Sequence, residues 1–479
     1  MVFNANMLAI NVKPNKVKVR VFRHYISISI LLLILFEIII FASSYYLGVF
    51  LCFGTDVDSK MLQIEPLLYS FIMIASISTQ GLYRVRYRQT YFGIFKRICV
   101  SFIMGLAVLM SLLYMLYPSM LYFDGLVIIY SHAVSFMCVC IVHIYFFSTI
   151  DRSKFKSKTL VFGAGRNASS LSKLRRKADL RNFTIVGYVK CNGDNLNVVP
   201  DKLVNIDLDD LKPYIVSNNI NEILVAPDDR RLGLPIQQLL DCKMHGVNIV
   251  DLCSFFEREA GKIRLDLLHP SWLIFSDGFK QGINRAFFKR MMDLSLSILF
   301  IFLSIPIMFF VALGILIDSN PGENILYRQT RIGLNGKYFE IIKFRSMVAN
   351  AEKNGAEWAQ KGDQRITRIG KFIRKYRIDE LPQLFNVLMG DMSLVGPRPE
   401  RPEFVKILCE SIPYYNERHR VKPGITGWAQ LNYPYGSSVE DSLEKSQYDL
   451  YYVKNNSLFL DISILLQTAE VVLFKKGSR

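Results

Sequence analysis

Apolar positions are clustered along this chain rather than evenly spread. In the first 150 residues they form four runs with almost no charge, Tyr25 to Leu51, Pro66 to Tyr83, Cys99 to Tyr117 and Phe123 to Phe147. Each is near or above the roughly 18 to 20 residues that a helix needs to cross a hydrocarbon core, so the pattern predicts a four-helix transmembrane bundle over residues 1–150. A fifth run, residues 289–318, is interrupted by Ser304 and Pro306. Between these regions the texture changes to that of a mixed α/β protein. TLVFGAGRNASSLSKL reads as strand, glycine turn and helix, and FTIVGYV, NEILVAPDD and VNIVDL read as further strands. Residues 151–255 are therefore expected to form a small doubly wound, Rossmann-like domain, residues 256–284 a connector, and residues 285–479 a second α/β domain. The expected fold class is a membrane protein, α plus α/β.

Charge orients the spans. Basic residues flank the outer ends of the bundle (Lys13, Lys16, Lys18, Arg20, Arg23, then Arg152, Lys154, Lys156, Lys158) and its middle loop (Arg84, Arg86, Arg88, Lys96, Arg97). Asp56, Asp58 and Glu65 against Lys60, and Asp124, mark the two remaining loops. The positive-inside rule then puts the N-terminus and everything after residue 150 in the cytoplasm. No cleavable signal peptide is expected, because the first apolar run is too long and lacks a small-residue cleavage site. Were residues 289–318 a simple span, the basic stretch Arg328 to Lys375 would lie outside, against the same rule. A helix that enters, bends at Ile305 to Pro306 and returns to the same face avoids this, with the Ser304 hydroxyl near the carbonyl that proline leaves without a donor. An ordinary proline-kinked span is the alternative. The eight cysteines and six histidines are dispersed without metal or redox spacing.

Two motifs bear on chemistry. GAGRNA, residues 163–168, begins a dinucleotide fingerprint at Gly163 and Gly165, yet Ala168 replaces the third glycine and Lys190 ends the second strand where an acid would hold a ribose. A structural or regulatory module is weighed against nucleotide binding. The second motif is RIDELPQLFN, residues 377–386. Before it, strands around Ile325 to Gln329 and Lys337 to Phe344, joined at Leu334-Asn335-Gly336, deliver Lys343 and Arg345. RITRIGKFIRKYR (365–377) sets Ile366, Ile369, Phe372, Ile373 and Tyr376 against Arg368, Lys371, Arg374 and Lys375, as an interfacial helix would; a solvated helix gives the same pattern. Asp379 is read as an N-cap, Pro382 as first turn, and Gly390 as the end of a helix with Leu381, Leu384, Phe385 and Leu388 on its apolar face. Carboxylates at a helix N-terminus are held ionised, which suits Asp379 and Glu380 to act as nucleophile and as ligand for a hard cation. A capping Asp beside an incidental Glu is the bland alternative. SLVGPRPE then stiffens Arg398 between Pro397 and Pro399 for a bidentate phosphate contact, so the set points to metal-assisted phosphoryl transfer. KPGITGW (422–428) adds a turn-rich loop.

These residues resemble the bacterial sugar transferases that act as monotopic polyprenyl-phosphate phosphoglycosyl transferases. The resemblance rests on KFRSM (343–347), RIDELPQLFNVLMGDMSLVGPRPE (377–400), KPGITGWAQ (422–430), YDLYYVKNNSLFLDI (448–462) and the proline-broken apolar segment. HPSWLIFSDGF is similar to the subgroup associated with PEP-CTERM and exosortase systems. The resemblance implies a large member with four spans and a degenerate Rossmann-like domain in the bacterial inner membrane. It implies transfer of a phosphosugar from a UDP-sugar, glucose or galactose, to undecaprenyl phosphate with release of UMP, the first membrane step of exopolysaccharide or capsule synthesis. Asp379 would be the nucleophile, and Asp379 and Glu380 would bind Mg2+. Lys343, Arg345, Arg377, Arg398 and Asp449 would serve the substrates, and Ser304 with Pro306 would form the re-entrant break. Partners would be the bilayer and downstream glycosyltransferases, with no nucleic acid and a homo-oligomer left open. Two competing readings are an NAD-dependent membrane nucleotide-sugar dehydratase, which needs a complete fingerprint and a Tyr-x-x-x-Lys pair, and a non-catalytic scaffold whose basic surface only binds lipid.

Overall fold

The computed structural model describes residues 18–21, 24–54, 65–83, 91–116, 125–150, 156–173, 183–198, 200–207, 210–229, 234–268, 270–279, 282–319, 323–348, 365–433, 436 and 438–473. The loop charges at 56 to 60, 84 to 88 and 124, and most of the N-terminal basic tail, lie outside these residues. The chain divides into two compact units, one running to Gly261 apart from Phe22–His24, and one made of Phe22–His24 with Lys262 onward.

In the first unit two short strands, β1 (Lys18–Val21) and β2 (His24–Ser27), precede four helices, α1 (Ile28–Phe53), α2 (Glu65–Thr79), α3 (Tyr91–Leu116) and α4 (Gly125–Ile150). Helices α1, α3 and α4 are long and apolar enough to cross a membrane, which makes this a membrane protein. The second expected span is shorter: α2 has 15 residues, a rise of about 22 Å against a hydrocarbon core of about 30 Å. It stops because Gly81, at φ 67°, turns the chain. A Cβ added at Gly48 would lie 2.4 Å from Ser131 Oγ and 2.8 Å from the Val127 carbonyl, so α1 and α4 touch backbone to backbone, the close approach that small residues permit in lipid. Glu37 and His143, both fully buried, meet at 2.6 Å, and the Tyr83 hydroxyl donates to the same carboxylate. Buried intramembrane ionisable side chains occur paired in this way because hydrocarbon offers them no other partner.

After the bundle comes a four-stranded parallel sheet in the order β4 (Phe183–Val189), β3 (Ser157–Phe162), β5 (Glu222–Val225), β6 (Asn248–Asp251). It is accompanied by α5 (Arg166–Ser169), α6 (Leu211–Asn218), α7 (Ile236–Met244) and α8 (Leu252–Ala260). Leu160, Phe162, Ile215, Ile220 and Ile223 fill its core. The expected parallel α/β domain is present.

The second unit has one principal core, running from Ile263 to Ile464. The expected connector divides: residues 256–260 end α8 of the first unit, while from Lys262 it belongs to the second, where Ile263 N donates to the Gln447 carbonyl and Lys262 pairs with Glu444 at 2.8 Å. After α9 (Pro270–Phe275), the apolar run forms α10 (Ile283–Ile317), 35 residues with Pro306 inside and no break in the helix. The Ser304 hydroxyl donates to the Ile301 carbonyl rather than, as expected, to that of Phe302, which Pro306 leaves without its helical donor. The remaining elements are β7 (Leu326–Ile332), β8 (Tyr338–Phe344), α11 (Arg368–Lys375), α12 (Gln383–Met389), β9 (Ser393–Val395), α13 (Pro402–Ser411), β10 (Gly424–Thr426), α14 (Trp428–Asn432), α15 (Val439–Asn455) and α16 (Leu458–Leu473). β7 and β8 form the expected hairpin, with Tyr327 opposite Lys343. KPGITGW supplies β10, which runs parallel to β9 with Gly424 opposite Ser393 and Thr426 opposite Val395. Glycine is required there because a Cβ at Gly424 would sit 2.0 Å from Gly396 N.

Candidate active site

The acidic pair sits at the junction of α11 and α12, where three features turn and hold the chain. Thr367 caps α11 by accepting from Gly370 N at 2.9 Å. A Cβ at Gly370 would lie 2.0 Å from the Ser346 carbonyl, so α11 packs directly on the chain leaving β8. Arg377 then adopts φ 55°, a left-handed conformation that costs a non-glycine residue roughly 1–2 kcal/mol, and reverses the chain. Asp379 and Glu380 follow in a 3-10 turn, Ile378–Glu380.

This differs from the sequence reading. Pro382, not Asp379, occupies the N-cap of α12, so the carboxylates stand one turn ahead of the helix, and burial and neighbouring charges rather than a helix end govern them. Asp379 is pushed up to about 6, first by burial and then by the negative charge of Glu380, with Lys343 and Arg374 opposing. Burial acts on Glu380 as well, but Arg398 and Lys343 outweigh it and hold that group at about 2. Arg398 Nη2 meets Glu380 Oε1 at 2.7 Å. Lys343, at the end of β8, is brought down to about 8 by burial, against the attraction of Glu380 and Asp379. The charge of Arg377 also favours ionised Glu380. Asp379, Glu380, Lys343, Arg377 and Arg398 therefore form one electrostatic cluster.

Arg345 does not join it. Its guanidinium pairs with Glu323 at 2.6 Å and donates to the Ser319 hydroxyl. Strand β8 ends at Phe344, so the alternation that would have put Arg345 on the face of Lys343 no longer applies. Asp449 lies in the core of the unit, paired with Arg418 at 2.8 Å with both side chains buried; it contacts an arginine rather than an open surface.

Several residues that position the site were not singled out from the sequence. Asn386 is fully buried on α12, donates to the Glu340 carbonyl at 2.7 Å and accepts from Ile342 N at 3.0 Å, which bolts the helix to the edge of β8. A polar residue within an otherwise apolar helix face was its one visible mark. Arg290 of α10 donates to the Val387 and Leu388 carbonyls at 2.6 and 2.7 Å, closing the C-terminal end of α12. Asp293 of the same helix accepts from Ser393 Oγ and Leu394 N. At the far end of α10, Asp318 accepts from Ile369 N, and Ile315 clusters with Phe344 and Ile373.

The glycine turn of the first unit is closed from within. Asp228 accepts from Arg166 N at 3.0 Å and Asn167 N at 2.8 Å, the donors that would meet a phosphate at the start of the helix. A Cβ at Gly165 would lie 2.0 Å from that carboxylate. Asp194 similarly takes Ala164 N, Cys191 N and Asp228 N. The fingerprint here accommodates the chain's own acids, which accounts for its glycines without a nucleotide.

The family described as bacterial sugar transferase matches residues 284–475. A UDP-N-acetylgalactosamine-undecaprenyl-phosphate N-acetylgalactosaminephosphotransferase of Aeromonas hydrophila is 42% identical over 252 residues, covering 53% of this chain and 58% of that one. An undecaprenyl-phosphate glucose phosphotransferase of Komagataeibacter xylinus is 43% identical over 196 residues, covering 40% of this chain and 36% of that one. An undecaprenyl-phosphate galactose phosphotransferase of Salmonella typhimurium is 30% identical over 346 residues, covering 68% and 70%. The chain thus spans little more than half, and little more than a third, of the lengths of the first two.

Proposed function

The chain belongs to the bacterial sugar transferase family, and on that premise we propose that it moves a phosphosugar from a UDP-sugar to undecaprenyl phosphate, releasing UMP, as the first membrane step of polysaccharide repeat-unit assembly. The observation that carries the reading is the divided acidity of the dyad: one carboxylate at about 6 beside one at about 2, with Arg398 and Lys343 against them. Such a pair has distinct tasks.

An Asp379 oxygen attacks the phosphorus that carries the sugar, the bond between that phosphorus and the bridging oxygen to UMP breaks, and UMP takes the electron pair. A phosphate oxygen of undecaprenyl phosphate then attacks the same phosphorus, and the bond to Asp379 breaks to restore the carboxylate. Lys343 and Arg398 spread the phosphate charge during both displacements. Glu380, fixed by Arg398, stays ionised and available to a cation while Asp379 serves as the nucleophile. Two adjacent carboxylates that raise each other's cost of ionisation fit Mg2+, an ion that takes one or two carboxylates and completes its shell with water and substrate phosphate. Asp379 and Glu380 would hold it, and when bound it supplies positive charge that offsets repulsion between dyad and diphosphate.

The domain plan proposed is a transmembrane bundle over 1–150, an α/β domain over 151–255, a connector over 256–284 and the catalytic domain over 285–479, with all but the bundle on the cytoplasmic face of the inner membrane. A re-entrant α10, which needs a bend near Pro306 within the continuous helix, is supported by its ends, Arg290 and Asp293 at one and Ile315 and Asp318 at the other, which bind the same folded unit. Its middle is apolar and bare, with Phe302 72% and Phe310 68% exposed. The test is UMP release by purified protein from a panel of UDP-glucose, UDP-galactose and UDP-N-acetylgalactosamine with undecaprenyl phosphate. Asp379→Asn should abolish both release and a trappable phosphosugar adduct; turnover by that variant would overturn the assignment.

A further inference from the structure

The turn that presents Arg398 is held at each of four successive carbonyls. Pro397 O accepts from Gly424 N at 2.9 Å, Arg398 O from Arg418 Nη2 at 2.9 Å, Pro399 O from Arg331 Nη1 at 3.2 Å, and Glu400 O from Ile332 N at 3.1 Å. The outer two are ordinary backbone bonds, set by β10 and β7. The inner two come from side chains, and the one on Arg398 itself comes from a guanidinium with 7% of its surface exposed, 2.8 Å from Asp449, which is 3% exposed. The Arg418 carbon lies 5.0 Å over the Tyr415 ring, and Nη1 donates to the Tyr415 hydroxyl at 2.5 Å.

We propose that Arg418 and Asp449 form a buried positioning pair that fixes the peptide of Arg398 and so aims its side chain at Glu380. Three considerations support it. An ion pair this deep brings little net stability, since an apolar pair of similar volume would hold α15 to the segment before β10 at lower desolvation cost; its distinctive product is a fixed direction. The planar fork of arginine holds an acid, a hydroxyl and a carbonyl in directions fixed by the guanidinium plane, a constraint that the rotatable ammonium of lysine does not impose. Asp449 is too deeply buried to touch a soluble nucleotide or a lipid phosphate, so its effect on transfer must pass through what Arg418 holds. Neither residue is catalytic; they act through Arg398, and a shift of about 1 Å in such a group costs on the order of 100-fold in rate.

The inference rests on the transferase reading, and the experiment separates the two. Asp449→Asn and Arg418→Lys are made in the full-length protein, alone and with Arg398→Ala, and UMP release is followed together with the rate at which phenylglyoxal modifies Arg398, located by mass spectrometry without substrate. Each single variant should lower kcat by about 10- to 100-fold with KM for the UDP-sugar nearly unchanged. In the Arg398→Ala background neither should cost more than about twofold further, because the arm they aim is gone. Losses that multiply in the double variants would overturn the proposal. Phenylglyoxal should modify Arg398 several-fold faster in Asp449→Asn than in the unaltered protein; equal rates would overturn it too, whatever the enzyme activity proves to be. Unaltered protein that releases no UMP from any UDP-sugar would reject the transferase reading, and the labelling rates would still decide this one. Should Asp449→Asn fail to fold, Tyr415→Phe loosens the same guanidinium without stranding a charge and gives the same readouts.

Discussion

Replacing Asp379 by Asn should stabilise the protein while inactivating it. The carboxyl is held at about 6 in the folded state against about 3.9 in an unfolded chain. A folded pKa above the unfolded one means that the folded state binds the proton more tightly, so stability is lost as pH rises from about 4 through 6. At 1.36 kcal/mol per pKa unit the penalty is about 3 kcal/mol at pH 7.5 and roughly half that at pH 5. Asn has nearly the shape of the neutral acid and carries no such penalty. For a unit of this size the difference corresponds to a rise in Tm of roughly 6–12 °C at pH 7.5, narrowing at pH 5. Tryptophan fluorescence during thermal unfolding, in detergent with a chelator present so that no cation offsets the charge, reads both. A Tm for Asp379→Asn at or below that of the unaltered protein at pH 7.5, or a gap that does not narrow at pH 5, would refute the reasoning that burial and Glu380 hold Asp379 in an unfavourable state.

Three further outcomes are expected. The rate of UMP release should be bell-shaped in pH, with an acid limb near 6 from Asp379 and a basic limb near 8 from Lys343; Glu380→Gln should move the acid limb to lower pH by removing the like charge, and an unmoved limb would argue against coupling of the pair. Asn386→Leu leaves Ile342 N and Glu340 O without their buried partner, so Tm should fall by an amount equivalent to about 2–3 kcal/mol, checked by the same unfolding assay. Asp228→Ala uncovers the Arg166 and Asn167 amides and should lower the unfolding temperature while leaving UMP release within about twofold; the loss of transfer instead would give that turn a part in catalysis.

What could be read from the sequence was local. The runs that became α1, α3 and α4, the hairpin with its Asn335-Gly336 turn, and the run of RIDELPQLFN into a helix ending at Gly390 are all written in neighbouring residues. The acidity of Asp379 was not, because a dipole argument drawn from the helix alone cannot count the apolar surroundings that dominate it. Arg418 meets Arg398 across 20 residues, Arg331 meets Pro399 across 68 and Asn386 meets Glu340 across 46. Each gains its role only when the chain folds back. The same holds for Asp228, which closes a glycine turn 62 residues earlier. Arg345 shows the converse: it follows Lys343 closely in sequence, yet β8 ends at Phe344 and its guanidinium turns to Glu323.

Arg290 joins the greasy helix to the helix that follows the dyad, and its two bonds to the end of α12 make anchor and chemistry one mechanical piece. A fragment trimmed to begin beyond Asp318 would lose more than its hold on lipid: it would forfeit the clasp that keeps α12 seated. On the proposed reading, a tilt of α10 would pass through Arg290 to α12, so the rate of UMP release is expected to change with bilayer thickness.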